Sequence, residues 1–309
     1  MNPPSQDPPQ DRLLDSADHS RDSAGMTYVY PVVSRRAGGV SVGINLNPNN
    51  ACNWRCIYCQ VPDLTRGSAP PIDMARLEAE LRAMLEDLLH GDFMARRVPA
   101  DARRIEDIAF SGNGEPTSAR EFAAAVDLAS RLRDEFKLNA RLRLITNGSL
   151  LDRTSVQQGI ARLGAADGEV WFKLDAGTRS GIARINSVDL DPAGVVRRLR
   201  TCAELCPTWV QTCCFALDGQ APGEEELAAW LEPLGHRVAW FSGSQRKRER
   251  AQRAADLAAG RIMLAVGTHA LIEPGVGLAA RMASILARLS AIPPSATSGV
   301  TRSRILMSG

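Results

Sequence analysis

The run Cys52-Asn53-Trp54-Arg55-Cys56-Ile57-Tyr58-Cys59 sets three thiols in a C-x3-C-x2-C spacing. Three thiolates can hold three corners of a cubic [4Fe–4S] cluster, because thiolate is the usual ligand of iron–sulfur iron. No fourth protein ligand stands nearby, so one iron would stay open. An open iron can be chelated by the amino and carboxylate groups of a small molecule. The alternative is a structural zinc knuckle. Zinc asks for a fourth Cys or His close by, and the nearest histidine downstream is His90, at the end of an expected helix.

The surrounding pattern alternates strands with helices. Strand signals fall at Val42–Asn47, Ile105–Gly112, Arg141–Thr146, Glu169–Asp175 and Trp209–Leu217. Helical patterns fall at Asp73–Leu89, Ala119–Phe136, Arg153–Leu163, Pro192–Cys206 and Glu224–Leu231. This order implies right-handed βαβ units and a parallel sheet. The expected fold is α/β, an open, partial (β/α)6-type barrel with an atypical C-terminal extension. Val238–Phe241, short, apolar and placed after a helix, is expected to fill the sixth-strand slot.

Ligands of parallel α/β folds bind beyond the C-terminal ends of the strands. The cysteine run follows the first expected strand, and Ser111-Gly112-Asn113-Gly114-Glu115-Pro116-Thr117 the second. Thr146-Asn147-Gly148-Ser149 follows the third, and Asp175-Ala176-Gly177 the fourth. The unusual residues therefore share one rim.

The cysteine spacing, with an aromatic before the last cysteine, resembles the radical S-adenosylmethionine (radical SAM) superfamily. Asn113-Gly114-Glu115-Pro116 resembles that family's Gly-Gly-Glu-Pro motif, with Asn113 in place of the first glycine. Together with Tyr30–Arg36 and Gly43–Pro48, these motifs look like a branch described as Fe–S oxidoreductases, distantly related to tRNA wyosine-synthesis enzymes. The resemblance covers about residues 27–231. It implies that Cys52, Cys56 and Cys59 hold the cluster and that SAM binds the open iron. It also implies that Asn113, Gly114 and Glu115 meet the SAM amino group, with Glu115 adding negative charge toward the ammonium, and that Tyr58 lies near the adenine. Thr146, Asn147, Lys173 and Asp175 are candidates for the ribose or carboxylate, against a role in turn structure alone. An electron donor such as a flavodoxin or ferredoxin is the implied partner. The substrate stays open.

Other features bound the class. Hydrophobic content of 44% is ordinary for a globular chain. No apolar run has the length of a membrane span, and the N-terminus shows no signal-like pattern. Seven cysteines without such a signal suit a reducing cytoplasm and metal chemistry. Cys202 and Cys206 share a helix face, and Cys213 and Cys214 point to opposite sides of a strand; buried free thiols or a second cluster would both fit. Residues 1–25 are rich in Pro, Asp and Ser and are expected to be disordered.

The last quarter reads differently. From Gly235 onward there are 11 Lys+Arg against 3 Asp+Glu, while the preceding residues carry 26 against 32. Residues 230–273, including Val266-Gly267-Thr268-His269-Ala270-Leu271, resemble an interior piece of RecG-type DNA helicase. This piece alone is not expected to be a motor, since no G-x-x-x-x-G-K-[ST] phosphate loop accompanies it in the sequence. Pro293–Ser298 is expected to be turn-forming and mobile. The organisation expected is a disordered 1–25, a radical SAM core at 26–234, and a helicase-like fragment with irregular tail at 235–309.

The function implied is cleavage of SAM to a 5′-deoxyadenosyl radical that acts on an unknown substrate. Two alternatives stand beside it. One is a nucleic-acid-binding protein that uses the basic tail and a structural cluster; the other is an inactive hybrid of a radical SAM protein and a helicase fragment.

Overall fold

The computed structural model describes residues 13–14, 25–34 and 38–213, isolated residues at 225–226, 229 and 248, and three later strands at 238–241, 264–267 and 305–308. Arg35, Arg36, Cys214, the Pro293–Ser298 stretch, and most of 1–25, of the Glu224–Leu231 helix and of the helicase-like segment lie outside the described residues. Two compact units divide the chain: residues 1–172 with 198–208, and residues 173–197 with 209–309.

The first unit opens with β1 (Val29–Ser34) and β2 (Gly39–Ile44), then β3 (Ala51–Cys52) and β4 (Thr65–Arg66). Helices α1 (Met74–His90) and α2 (Phe93–Arg97) lead to β5 (Ile105–Phe110), and α3 (Phe122–Glu135) leads to β6 (Arg141–Thr146). Helix α4 (Thr154–Ala165) leads to β7 (Glu169–Lys173). Within this unit the strand order is β1-β2-β5-β6-β7. Four of these strands run parallel, with Ile44 beside Phe110, Phe110 beside Leu144, and Leu144 beside Val170. β1 adds an antiparallel strand, Tyr30 facing Gly43. β3 and β4 form a separate small parallel pair that carries the first cysteine.

The two faces of this sheet differ in chemistry. Ile108, Phe110, Leu142, Leu144, Val170 and Phe172 are fully buried. Phe110 meets Phe122 of α3 edge-on, with centroids 5.9 Å apart, a favourable aromatic arrangement. α3 and α4 approach closely at Gly159, where a Cβ would come within 2.6 Å of the Phe122 ring. α1 turns Leu77, Leu81, Met84, Leu85 and Leu88 inward, the spacing of one helical face. Asp73 caps its start by accepting the Arg76 N–H at 3.0 Å.

The opposite face carries a buried polar chain across four strands. Ser41 donates to Asp107, and Asp107 pairs with Arg143. Arg143 Nε reaches Glu169 at 2.6 Å, and Trp171 Nε1 donates to the same carboxylate at 3.1 Å. The guanidinium also stacks over the Trp171 ring at 4.9 Å. One cation thus ties β5, β6 and β7 together. Although burial acts to lower the Arg143 pKa, the two carboxylates outweigh it and hold the guanidinium charged.

In the second unit, α5 (Arg179–Asn186) is capped by Thr178, whose Oγ1 accepts the Gly181 N–H at 3.0 Å. Helix α6 (Pro192–Leu205) carries the chain from this unit into the first. β8 (Thr208–Cys213) pairs in parallel with β11 (Ile305–Ser308), Val210 beside Ile305. The expectation for Val238–Phe241 is corrected here. This segment, β9, pairs in parallel with β10 (Leu264–Gly267) in a separate two-stranded sheet and does not extend the main one. A short apolar strand is compatible with either sheet, so composition alone could not decide its neighbour.

Candidate functional site

The cysteine run begins in β3. Its register to β4 is completed by Thr65 N–H to Asn50 O at 2.9 Å and Gly67 N–H to Cys52 O at 3.1 Å. Buried Trp54 anchors the loop, and its backbone N–H reaches Cys52 Sγ at 3.4 Å. Cys59 N–H closes a turn onto Cys56 O at 3.0 Å. Cys52 and Cys56 are half-buried and Cys59 is exposed, and none of the three is in a disulfide. Burial is the main cause that pushes the Cys52 thiol up to about 11, opposed by the Trp54 N–H. The Glu115 carboxylate and the other two cysteines act in the same upward direction, so both of those thiols lie within electrostatic reach of Cys52.

The second rim loop, after β5, packs against the start of this loop. A Cβ on Gly114 would sit 2.1 Å from Ala51 O and 2.6 Å from Asn47 Cγ, so only glycine fits. Asn113 Nδ2 donates to Asn50 Oδ1 at 2.7 Å, and Asn45 Oδ1 accepts the N–H groups of Asn47 and Asn113 at 2.9 and 3.2 Å. Asn50 itself has φ of 51°, a conformation that asparagine tolerates well. Asn113, read from sequence as a stand-in for glycine, therefore has its own bonding role.

Glu115 is buried, and its carboxylate is engaged by four protein donors. Oε1 accepts the Thr117 N–H at 3.1 Å, Thr117 Oγ1 at 2.6 Å and Thr146 Oγ1 at 2.6 Å; Oε2 accepts the Asn147 N–H at 2.8 Å. Burial pushes the carboxyl above its ordinary value, against the pull of these bonds. Glu115 thus joins the second rim loop to the third, a role the sequence reading did not foresee. Asn147 Nδ2 reaches on to Asn53 Oδ1 at 2.9 Å, which joins the third loop to the cysteine run. The structure brings Cys52, Asn113, Gly114, Glu115, Thr146 and Asn147 into one bonded system. Tyr58 is half-buried on the cysteine loop. Lys173 and Asp175 belong to the second unit, where Asp175 accepts from Asn186 Nδ2 at 2.9 Å and lies 3.7 Å from Lys173 Nζ.

Asparagines 45, 47, 50 and 53 belong to this network although the sequence reading gave them no role of their own, and Ser149 was read only as part of the third rim. The available signal was density: five asparagines lie between positions 45 and 53, beside the first cysteine. Fully buried Asn47 leaves its Oδ1 without a hydrogen-bond partner, an acceptor that a donor-bearing ligand would satisfy. Among the described residues, no three His, Cys, Asp or Glu side chains converge as ligands of a single metal ion. A cubane asks for a looser arrangement, since each thiolate binds a different iron. The donor set of three thiols, one of them already receiving a backbone N–H, suits it. Cys202 and Cys206 are buried free thiols, the Thr208 hydroxyl lying 3.5 Å from Cys202 Sγ.

A family model described as the radical SAM superfamily matches residues 46–231, more than half of the chain. The chain belongs to the radical SAM superfamily. Its fold is the α/β fold with a parallel sheet, and its cofactors are a [4Fe–4S] cluster and SAM. Curated relatives match only in part. "GTPase Obg" of Brachyspira hyodysenteriae is 27% identical over 130 residues, 42% of this chain and 17% of that protein. "UPF0026 protein MJ1312" of Methanocaldococcus jannaschii is 27% identical over 158 residues, 48% of this chain and 44% of that protein. "ATP-dependent DNA helicase RecG" of Acidithiobacillus ferridurans is 46% identical over 50 residues, 16% of this chain and 7% of that protein. The radical SAM chain thus spans less than half the length of each of these relatives. Among solved structures, TYW1 with a lysine–pyruvate adduct aligns with a TM-score of 0.41 at 16% identity, over 72% of each chain. Histidine-tagged anSMEcpe with bound AdoMet aligns with a TM-score of 0.46 at 15% identity, over 72% of this chain and 62% of that one. Among the described residues, no helix is long and apolar enough to cross a membrane.

Proposed function

We propose that this radical SAM enzyme holds its cluster through Cys52, Cys56 and Cys59 and cleaves SAM reductively to start hydrogen abstraction from a substrate still to be identified. When bound, the cluster supplies one electron that splits SAM into methionine and a 5′-deoxyadenosyl radical. The observation that carries this reading is the bonding of the cysteine loop to two strand-end loops through Asn113–Asn50, Glu115–Asn147 and Asn147–Asn53.

The residues divide the work. Trp54, itself buried, presents its backbone N–H to Cys52 Sγ. Gly114 lets the second rim loop approach the cysteines. Glu115, committed to four protein donors, acts by holding Thr146 and Asn147 in place, in contrast to direct binding of an ammonium. Preorganised loops of this kind lower the cost of ordering a site around its ligand. In this reading residues 26–234 form the catalytic core, a one-electron donor of the flavodoxin or ferredoxin kind reduces it, and residues 235–309 lie outside the chemistry. Formation of 5′-deoxyadenosine by the reconstituted chain tests the proposal; SAM left intact by a fully loaded chain would refute it.

A further inference from the structure

Asn53 follows Cys52 directly, and its amide is locked in one orientation by a ring of hydrogen bonds. The Ser149 N–H, which can only donate, points at Asn147 Oδ1 at 3.0 Å. That fixes the Asn147 amide, whose Nδ2 must then face Asn53, at 2.9 Å from Oδ1. Asn53 Nδ2 in turn donates to Ser149 Oγ at 2.7 Å, and Ser149 Oγ donates to Asn147 Oδ1 at 2.7 Å, closing the ring. A backbone N–H thereby decides which end of the Asn53 amide faces the neighbouring cysteine. It is the oxygen: Asn53 Oδ1 lies 3.9 Å from Cys52 Sγ.

A thiol can donate weakly to that oxygen. A thiolate cannot, and instead meets the negative end of a fixed dipole. From this we propose that the Asn53–Asn147–Ser149 ring is a potential-setting latch, which holds a carbonyl oxygen against the Cys52 sulfur so that adding an electron to the cluster is disfavoured. The proposal rests on the reading that Cys52 ligates the cluster. Hydrogen bonds and charge near the sulfurs set the reduction potential of such clusters. The Trp54 N–H on the same sulfur works in the opposite direction, so Cys52 sits between one raising and one lowering dipole. A lower potential makes the reduced cluster a stronger one-electron reductant, as cleavage of SAM requires. Asn53 and Asn147 are on this account positioning residues that act through Cys52.

The test is a redox titration of the full-length, anaerobically reconstituted chain without SAM. Dithionite serves as electron donor, EPR of the reduced cluster as readout, and iron and sulfide content as the loading control. Asn53→Ala removes the carbonyl and should shift the midpoint to a more positive value. Asn53→Asp keeps an oxygen there, adds charge, and should shift it to a more negative one. Asn147→Ala frees the Asn53 amide to turn its N–H toward the sulfur and should shift the midpoint upward as well, which gives a second route if Asn53→Ala loads poorly. Opposite shifts for the Ala and Asp variants are not expected of a loop that is merely loosened. Loaded variants with the wild-type midpoint, or shifts of the same sign for Ala and Asp, overturn the latch alone. A wild-type chain that takes up no cluster overturns the ligation reading, and the latch with it.

Discussion

Glu115 Oε2 accepts the backbone N–H of Asn147 at 2.8 Å, so a carboxylate at the end of one strand fixes the loop at the end of the next. The same carboxylate takes both hydroxyls, of Thr117 and Thr146, on its other oxygen. Glu115→Gln would turn an NH2 group toward one of these donors, and a buried donor facing a donor costs about 1–3 kcal/mol. The variant should unfold at lower denaturant concentration than wild type and bind SAM more weakly. Glu115→Ala should behave the same way. Denaturation measured alongside SAM binding checks this; a normal denaturation midpoint with weakened SAM binding would mean that Glu115 serves the ligand alone.

Gly114→Ala should be severe for a steric reason. The added methyl would lie 2.1 Å from Ala51 O, one residue before the first cysteine. The loop must move, and iron content after reconstitution should fall together with SAM binding. Retention of full iron by Gly114→Ala would show that the two loops move independently.

The parallel strands were legible because Ile105–Phe110 and Arg141–Thr146 place apolar residues at alternate positions, Ile108 and Phe110 in one and Leu142 and Leu144 in the other, and turn residues follow each. The cysteine spacing is read from the sequence directly, with no fold needed. β1 was not. Pro31 interrupts its pattern, and proline is accepted there because β1 ends the sheet order. α5 escaped notice as well, since eight residues give too few turns to show a period. The asparagine network was hidden because asparagine reads as an ordinary turn former; only the fold reveals that Asn53 and Asn147, 94 positions apart, bond to each other.

The polar face of the sheet makes its own prediction. Arg143→Met leaves Asp107 and Glu169 buried without their cation. Removal of one partner from a buried ion network costs about 3–5 kcal/mol. The loss should show in denaturant unfolding, and Asp107→Asn combined with Arg143→Met should recover part of it. Additive losses in the double variant would mean that the three groups are not coupled.

Cys202 and Cys206 give a pH-dependent signature. Burial pushes both thiols from 9.0 up to about 12. A folded-state pKa raised above the unfolded value contributes stability that is complete below about pH 9 and is lost as pH rises toward about 12. The chain should therefore lose stability through that window, and Cys202→Ala should lose less of it. At neutral pH iodoacetamide should modify exposed Cys59 well before Cys202 or Cys206. Fast modification of Cys202 in the native chain would contradict the burial.

The most direct measurement is anaerobic reconstitution with iron and sulfide, followed by dithionite, SAM and an assay for 5′-deoxyadenosine. The account predicts a cluster of about four irons per chain, 5′-deoxyadenosine formed in its presence, and loss of both in Cys52→Ala, Cys56→Ala and Cys59→Ala but not in Cys202→Ala. Stoichiometric zinc with no iron or sulfide, or a loaded cluster that leaves SAM intact, would contradict it.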